Sequence, residues 1–149
     1  MSEESTTPDL VALVRRALEA MNRRDLDAVM SSFASDAVFE GRALGDVFVG
    51  HAAIRGFIEE WLGAYEELEY RLEEARDLGN EVVFTVVVQS GRPAGSAGHV
   101  QQREGWIVVW ARDVIARITV SQVDGGRAAA ERLARERGEA LSRENAELP

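Results

Sequence analysis

Apolar residues recur along this chain at two different periods, and the change of period divides it. Leu10, Val14, Ala17, Leu18 and Met21 keep helical spacing while Arg15, Arg16, Glu19 and Arg23 fall off that stripe. This predicts an amphipathic helix of about four turns, with Thr7 as N-cap and Pro8 at its first position. Asp25 is expected to cap a second, shorter helix through Leu26, Val29, Met30 and Phe33, stopped at Ser35 and Asp36. A short strand over 37–40 reads as a half-buried edge, and a glycine-containing excursion over 41–50 leads to a third helix. That helix carries Ile54, Phe57, Ile58, Trp61, Leu62 and Tyr65 on one broad face.

Period two then takes over. Leu68, Tyr70 and Leu72 alternate with Glu69, Arg71 and Glu73, the pattern of a strand with one wet face. Leu78-Gly79-Asn80 is a turn. Residues 81–90 are apolar on both faces, as in a central strand, and 91–98, with Pro93 and three glycines, form a loop. Alternation resumes over 99–110. Arg112-Asp113 supplies a two-residue hairpin turn, with Asp113 tolerating the left-handed region, and 114–122 returns antiparallel. Gly125-Gly126 is expected to break the chain. Beyond it the charged segment 127–149 is helix-prone, with Glu131 to Arg135 and Arg132 to Glu136 as i,i+4 pairs and a thin apolar stripe including Leu133 and Leu141. It reads either as a solvated helical or disordered tail or as a helix packed on a partner subunit.

The order helix, helix, strand, helix, then four tightly connected strands spells an α+β fold, with helices on one face of a curved antiparallel sheet. At 149 residues the chain suits one domain with its own core. We divide it into a disordered start (1–6), a domain (7–126) and the tail (127–149). A net charge of −9 opposes a nucleic-acid partner, which would require a basic face. No cysteine is present, which excludes thiol nucleophiles, disulfides and thiolate metal sites. No apolar run reaches the roughly 18 residues of a membrane span, and MSEESTTPD has no basic or apolar leader character. A cytoplasmic protein is expected. His51 and His99 are too few and too separated to imply a metal site, and no phosphate loop, dinucleotide fingerprint or nucleophile elbow implies a cofactor.

Three stretches, RRDLDAVMSSFASDAVFEG, VGHAAIRGFIEEW and REGWIVVWARDVIARI, resemble the nuclear transport factor two-like superfamily, and within it the SnoaL-like and ketosteroid isomerase-like group. The resemblance covers about residues 9–130. It implies a cone-shaped curved sheet, a cystatin-like α+β roll, enclosing one deep apolar pocket with the three helices. The same fold hosts isomerases, epoxide hydrolases, cyclases, dehydratases and binding modules. The resemblance places the general-base Asp of ketosteroid isomerases on Gly41, and their proton-donating Tyr and second Asp near Ala17 and Trp106. The Arg and two Asp of limonene epoxide hydrolase-like members fall near Val87, Gln89 and Val120. None of these ionisable groups is retained. A slip of one residue brings Glu40 or Glu104 into such a role.

With Trp106 and Val120 facing inward, Gln102, Glu104, Trp106, Val108 and Trp110 form one wall. Ile118, Val120 and Gln122 form the next, and Phe39, Phe57 and Trp61 close the remaining sides. These rings either line a small-molecule cleft or simply fill a core. Glu104 is either an inward general acid or base or an exposed carboxylate paired with Arg103. Gln89 either orients a ligand or satisfies a backbone group. The leading expectation is a pocket for a small hydrophobic ligand, cofactor-free, with proton transfer by Glu104 or Glu40. The alternative is a non-catalytic homodimeric module joined through the outer sheet face, where Ile107 and Val109 are expected to be exposed.

Overall fold

The computed structural model describes residues 9–41 and 45–146. The elements run α1 (Leu10–Asn22), α2 (Leu26–Ser31), β1 (Phe33–Glu40), β2 (Val47–Val49), α3 (His51–Gly63), β3 (Tyr65–Asp77), β4 (Val82–Pro93), β5 (Val100–Ala111), β6 (Val114–Ser121) and α4 (Val123–Ala146). The fold is α+β, with a curved open sheet of six strands ordered β2-β1-β6-β5-β4-β3. All neighbouring strands pair antiparallel except β1 and β6, which run parallel. So β1, read as an edge, lies inside the sheet, and the sheet is not purely antiparallel.

The helices start where the sequence supplies caps. Asp25 accepts from the Ala28 N–H at 3.1 Å as expected, but α1 is capped by Asp9, which accepts from Ala12 at 3.2 Å. The proposed Thr7 cap, Pro8 and the start 1–6 lie outside the described residues. Phe33 opens β1 rather than closing α2, because Ser32 already ends the helix. At the β5–β6 hairpin it is Arg112, not Asp113, that adopts positive φ, at 63°. Its amide donates to Glu81 at 3.1 Å, which helps hold that conformation.

Long polar side chains tie the inner helices to the sheet. Asn22, closing α1, donates to the Tyr70 carbonyl at 2.9 Å and accepts the Tyr70 N–H at 2.7 Å, satisfying the free edge of β3. Arg24 donates to the carbonyls of Leu62 and Tyr65, where α3 has run out of intrahelical partners. Arg55 of α3 pairs with Asp27 of α2 at 2.9 Å. One core fills this side, from Leu10, Val14 and Leu18 of α1 to Val83, Val87, Val108 and Trp110 of the sheet.

The C-terminal segment is helical, as the sequence predicts, but Ala130 and Ala134 in its first half are buried, so that half is not a solvated tail. Gly125 and Gly126 do not break the chain; they lie in the first turn of α4, and the expected boundary at 126/127 falls inside this helix. The helix packs on the outer face of its own sheet, Ala130 and Ala134 meeting Val82, Phe84, Val86 and Ile107 in a second core. Gly126 makes this possible. A Cβ there would stand 2.0 Å from Ser121 Oγ and 3.3 Å from the Phe84 ring, so only a bare Cα lets the first turn lie flat. Arg127 then stacks over the Phe84 ring at 5.0 Å and forms a double hydrogen bond with Glu74. Ile107 lies under α4 and Val109 is also buried, so the apolar patch that motivated a homodimer through this face is not exposed.

Candidate functional site

Strand pairing aligns inward side chains in rows across the sheet. Tyr70, Gln89 and Gln102 form one row, and Leu72, Val87 and Glu104 the next. Thr85, Trp106 and Val120 follow, then Val83, Val108, Ile118 and Phe39. Between this surface and the three N-terminal helices lies a cavity of about 520 Å³. Ala17, Leu18 and Met21 of α1, Val29 of α2, and Phe57, Ile58 and Trp61 of α3 supply its helical side. Register gathers its polar groups, Tyr70, Gln89, Gln102 and Glu104, at one end, where Gln102 reaches water. Trp106, Val120, Ile118 and Phe39 continue the sheet wall as apolar surface.

The aromatic residues form a continuous run. Phe57 stacks on Phe48 at 4.5 Å and tilts against Phe39 at 5.2 Å; Trp61 follows at 6.4 Å and contacts Tyr65 at 5.3 Å. On the sheet, Tyr70 meets Trp106 edge-on at 6.1 Å. Asp46 adds a carboxylate beside Gly41. A Cβ on residue 41 would come 3.0 Å from the Cβ of Asp46, so glycine at the end of β1 makes room for this side chain against the cavity.

Glu104 is only 9% exposed, and its Oε1 accepts the Trp106 indole N–H at 3.2 Å. Burial holds the Tyr70 phenol above its ordinary pKa; a hydrogen bond with Trp61 opposes this, while the nearby Glu104 charge adds to it. Tyr70 is therefore a neutral hydroxyl at physiological pH. A carboxyl, a phenol and two carboxamides facing an apolar hollow can orient a carbonyl or hydroxyl group and exchange a proton with it. Among the described residues no three His, Cys, Asp or Glu side chains are grouped to hold a metal ion.

Of the residues singled out by sequence, Phe39, Phe57, Trp61, Gln89, Glu104, Trp106 and Val120 all line the cavity. Three do not. Glu40 pairs across to Thr119 on the outer face, where Thr119 donates to it at 3.0 Å and Arg117 pairs with it at 2.8 Å. Trp110 is 1% exposed and belongs to the packed core beyond the cavity wall. The register shift between Val109 and Trp110 keeps it inward-facing but opposite Ile115. Gln122 lies past the end of β6 and is exposed, its carbonyl accepting from Gly126 at the start of α4. Tyr70 and Asp46 were missed. Alternation had put Tyr70 on a buried phase without the register that sets it beside Gln89, and Asp46 carried no periodic signal at all.

The SnoaL-like domain model matches residues 14–118. The chain belongs to the SnoaL-like family. The match runs from within α1 into β6 and leaves α4 outside it. Solved structures share this SnoaL-like fold. A putative polyketide cyclase from Sinorhizobium meliloti is 25% identical with a TM-score of 0.64, covering 76% of this chain and 96% of that one. A protein of ketosteroid isomerase-like fold from Catenulispora acidiphila, in complex with trimethylamine, is 18% identical with a TM-score of 0.68 over 77% and 85% of the two chains. A Mycobacterium tuberculosis protein in complex with estradiol-17β-hemisuccinate is 15% identical with a TM-score of 0.66 over 74% and 91%. In this SnoaL-like chain Ala17, Gly41, Gln89, Trp106 and Val120 line the cavity, so five of the six positions that the resemblance ties to functional groups are pocket positions here without ionisable side chains, while Val87 is a buried core residue.

Proposed function

We propose that this SnoaL-like protein binds an apolar or aromatic small molecule in the cavity between sheet and helices. The observation that carries this is a hollow of about 520 Å³ with a mainly aromatic and aliphatic wall, in which Tyr70, Gln89, Gln102 and Glu104 share neighbouring strand rows and Asp46 stands beside Gly41. A volume of that size accommodates a ligand of two or three rings. Structures of the same fold have been solved with estradiol-17β-hemisuccinate and with trimethylamine, and one relative is a putative polyketide cyclase, which supports a small-molecule role.

Where the ligand is turned over, Glu104 is the group we assign to proton transfer, in an isomerisation, cyclisation or dehydration that needs no cofactor. Glu40 has no part in it, because its carboxylate faces away from the cavity and is held by Arg117 and Thr119. The sequence has no cysteine that an oxidising compartment would pair, and the proposal places the protein in the cytoplasm.

The test is a thermal-shift and native mass-spectrometry screen of the full chain with neutral and charged bicyclic and tricyclic compounds. Binding by members of the panel, or a co-purified molecule, is the expected result. A chain that retains nothing and is stabilised by none of them has no functional pocket. With a substrate in hand, Glu104→Gln should reduce turnover while leaving binding measurable; full activity in that variant would remove Glu104 from the mechanism.

A further inference from the structure

Among the described residues, no side chain or backbone group hydrogen-bonds the carboxamide of Gln89. Yet Gln89 is 4% exposed, lining the cavity from β4 between Tyr70 and Gln102 on the neighbouring strands. Buried carboxamides ordinarily find partners. Other inward polar groups of the sheet do: Thr85 donates to the Trp106 carbonyl at 3.3 Å, and Glu104 accepts from the Trp106 indole at 3.2 Å. On a strand that reads VVFTVVV up to this point, an apolar side chain would pack without the cost of burying an amide.

Tyr70, beside it, is 6% exposed and only half satisfied. Trp61 meets its phenol in a hydrogen bond, and an indole N–H can only donate. The phenol oxygen is the acceptor there, which leaves its own O–H to be given. Gln102, third in the row, reaches water.

Water can serve these groups in the free protein, but a molecule that fills the hollow displaces it and must replace its hydrogen bonds. Two donors then need an acceptor, the Tyr70 O–H and the Gln89 N–H, and the Gln89 oxygen needs a donor. We infer that Gln89 selects ligands whose ring body carries a cis amide edge, a lactam or a primary carboxamide, an assignment that rests on the pocket reading above. Paired strands stand about 4.8 Å apart, so one carbonyl oxygen lying between the two side chains accepts from both. The adjoining amide N–H donates to Gln89 Oε1. A ketone or lactone accepts both donors and leaves that oxygen unpaired. A hydroxyl donates to it and accepts from Tyr70, but cannot also lie in line with the Gln89 N–H.

Three neutral bicyclic compounds of one size decide it: isoquinolin-1(2H)-one, a lactam; isocoumarin, the lactone with oxygen in place of the N–H; and 1-naphthol. Each is titrated calorimetrically into the full chain at neutral pH. The lactam should bind on the order of tenfold more tightly than the lactone, with 1-naphthol between them. Added salt should leave these ratios unchanged, since the match is between neutral groups. Gln89→Met should bring lactam and lactone to near parity. Tyr70→Phe should weaken both alike, because they present the same carbonyl, and leave their ratio in place. Should Gln89→Met unfold, the ratios in the parent and in Tyr70→Phe still decide. Equal binding of lactam and lactone by the parent, a preference that survives Gln89→Met, or tightest binding of 1-naphthol overturns the amide inference and leaves the pocket reading standing. Failure of all three alongside a binder in the wider screen does the same. Failure of all three with no binder in that screen overturns both.

Discussion

The indole N–H of Trp106 donates to the carboxylate of Glu104 at 3.2 Å, two positions back along β5 and on the same inward phase. This contact fixes an acid against the aromatic wall using one strand's own alternation. Trp106→Phe keeps most of the ring and deletes the donor. It should lower unfolding free energy by about 1 kcal/mol, read from urea denaturation. Glu104→Gln retains an acceptor oxygen and should cost less. If Trp106→Phe is as stable as the parent, the hydrogen bond contributes nothing to holding Glu104.

Asn22 meets both backbone groups of Tyr70, so one side chain stands in for a missing strand neighbour. Asn22→Ala should destabilise the chain by about 2 kcal/mol, since a donor and an acceptor lose their partners together. Hydrogen exchange at the Tyr70 amide should accelerate far more than exchange at Val87 on the central strand. Uniform acceleration at both would mean that Asn22 acts on global stability only.

Gly125 and Gly126 adjoin in sequence and should respond oppositely to alanine. Nothing lies within 4 Å of a Cβ added at Gly125, so Gly125→Ala should gain up to about 1 kcal/mol from helix propensity. At Gly126 the added methyl meets Ser121 Oγ and the Phe84 ring, and Gly126→Ala should lose about 1–3 kcal/mol. Removing the hydroxyl with Ser121→Ala should recover part of that loss. Matching effects at the two glycines would contradict the close seating of α4.

Acid should weaken the attachment of α4. The hydrogen bond from Arg127 is the main cause that holds Glu74 below the ordinary carboxylate value of 4.5. Burial pushes Glu40 upward, but Arg117 and Thr119 outweigh it and the net shift is again downward. A lowered folded pKa means that the unfolded chain binds protons first. The stabilisation is therefore complete above about 4.5 and is lost as pH falls through the folded values. Melting temperatures of the parent and Arg127→Gln should differ at neutral pH and converge in acid. A constant gap from pH 7 to pH 3 would mean that Arg127 works through its contact with Phe84 alone.

Periodicity carried the fold because burial on one face leaves its mark at every second or every third to fourth residue. The inward phase of Trp106, Val120 and Phe39 was legible for that reason. Four features were not. The parallel pairing of β1 with β6 depends on a long-range choice of neighbour that no local pattern encodes. Gly125-Gly126 reads locally as a chain breaker, yet close packing against Ser121 and Phe84 requires a small residue inside the helix. Glu40 and Glu104 look equally plausible in sequence, and one position of strand phase separates an outward ion pair from an inward acid. Asp46 reaches the cavity through the path of a connecting segment, which alternation does not describe.

The parallel junction of β1 and β6 has a consequence for assembly. Glu40 and Thr119, joined across it, are 79 positions apart in the chain. Contacts of such span form late, because a long loop must close before they contribute. Helices α1 and α2 and the hairpin of β3 with β4 can form from nearby residues, whereas the wall from Phe39 to Ile118 and Val120 needs both sides of the junction. During synthesis the chain can thus hold much of its secondary structure while still having no enclosed place for a guest.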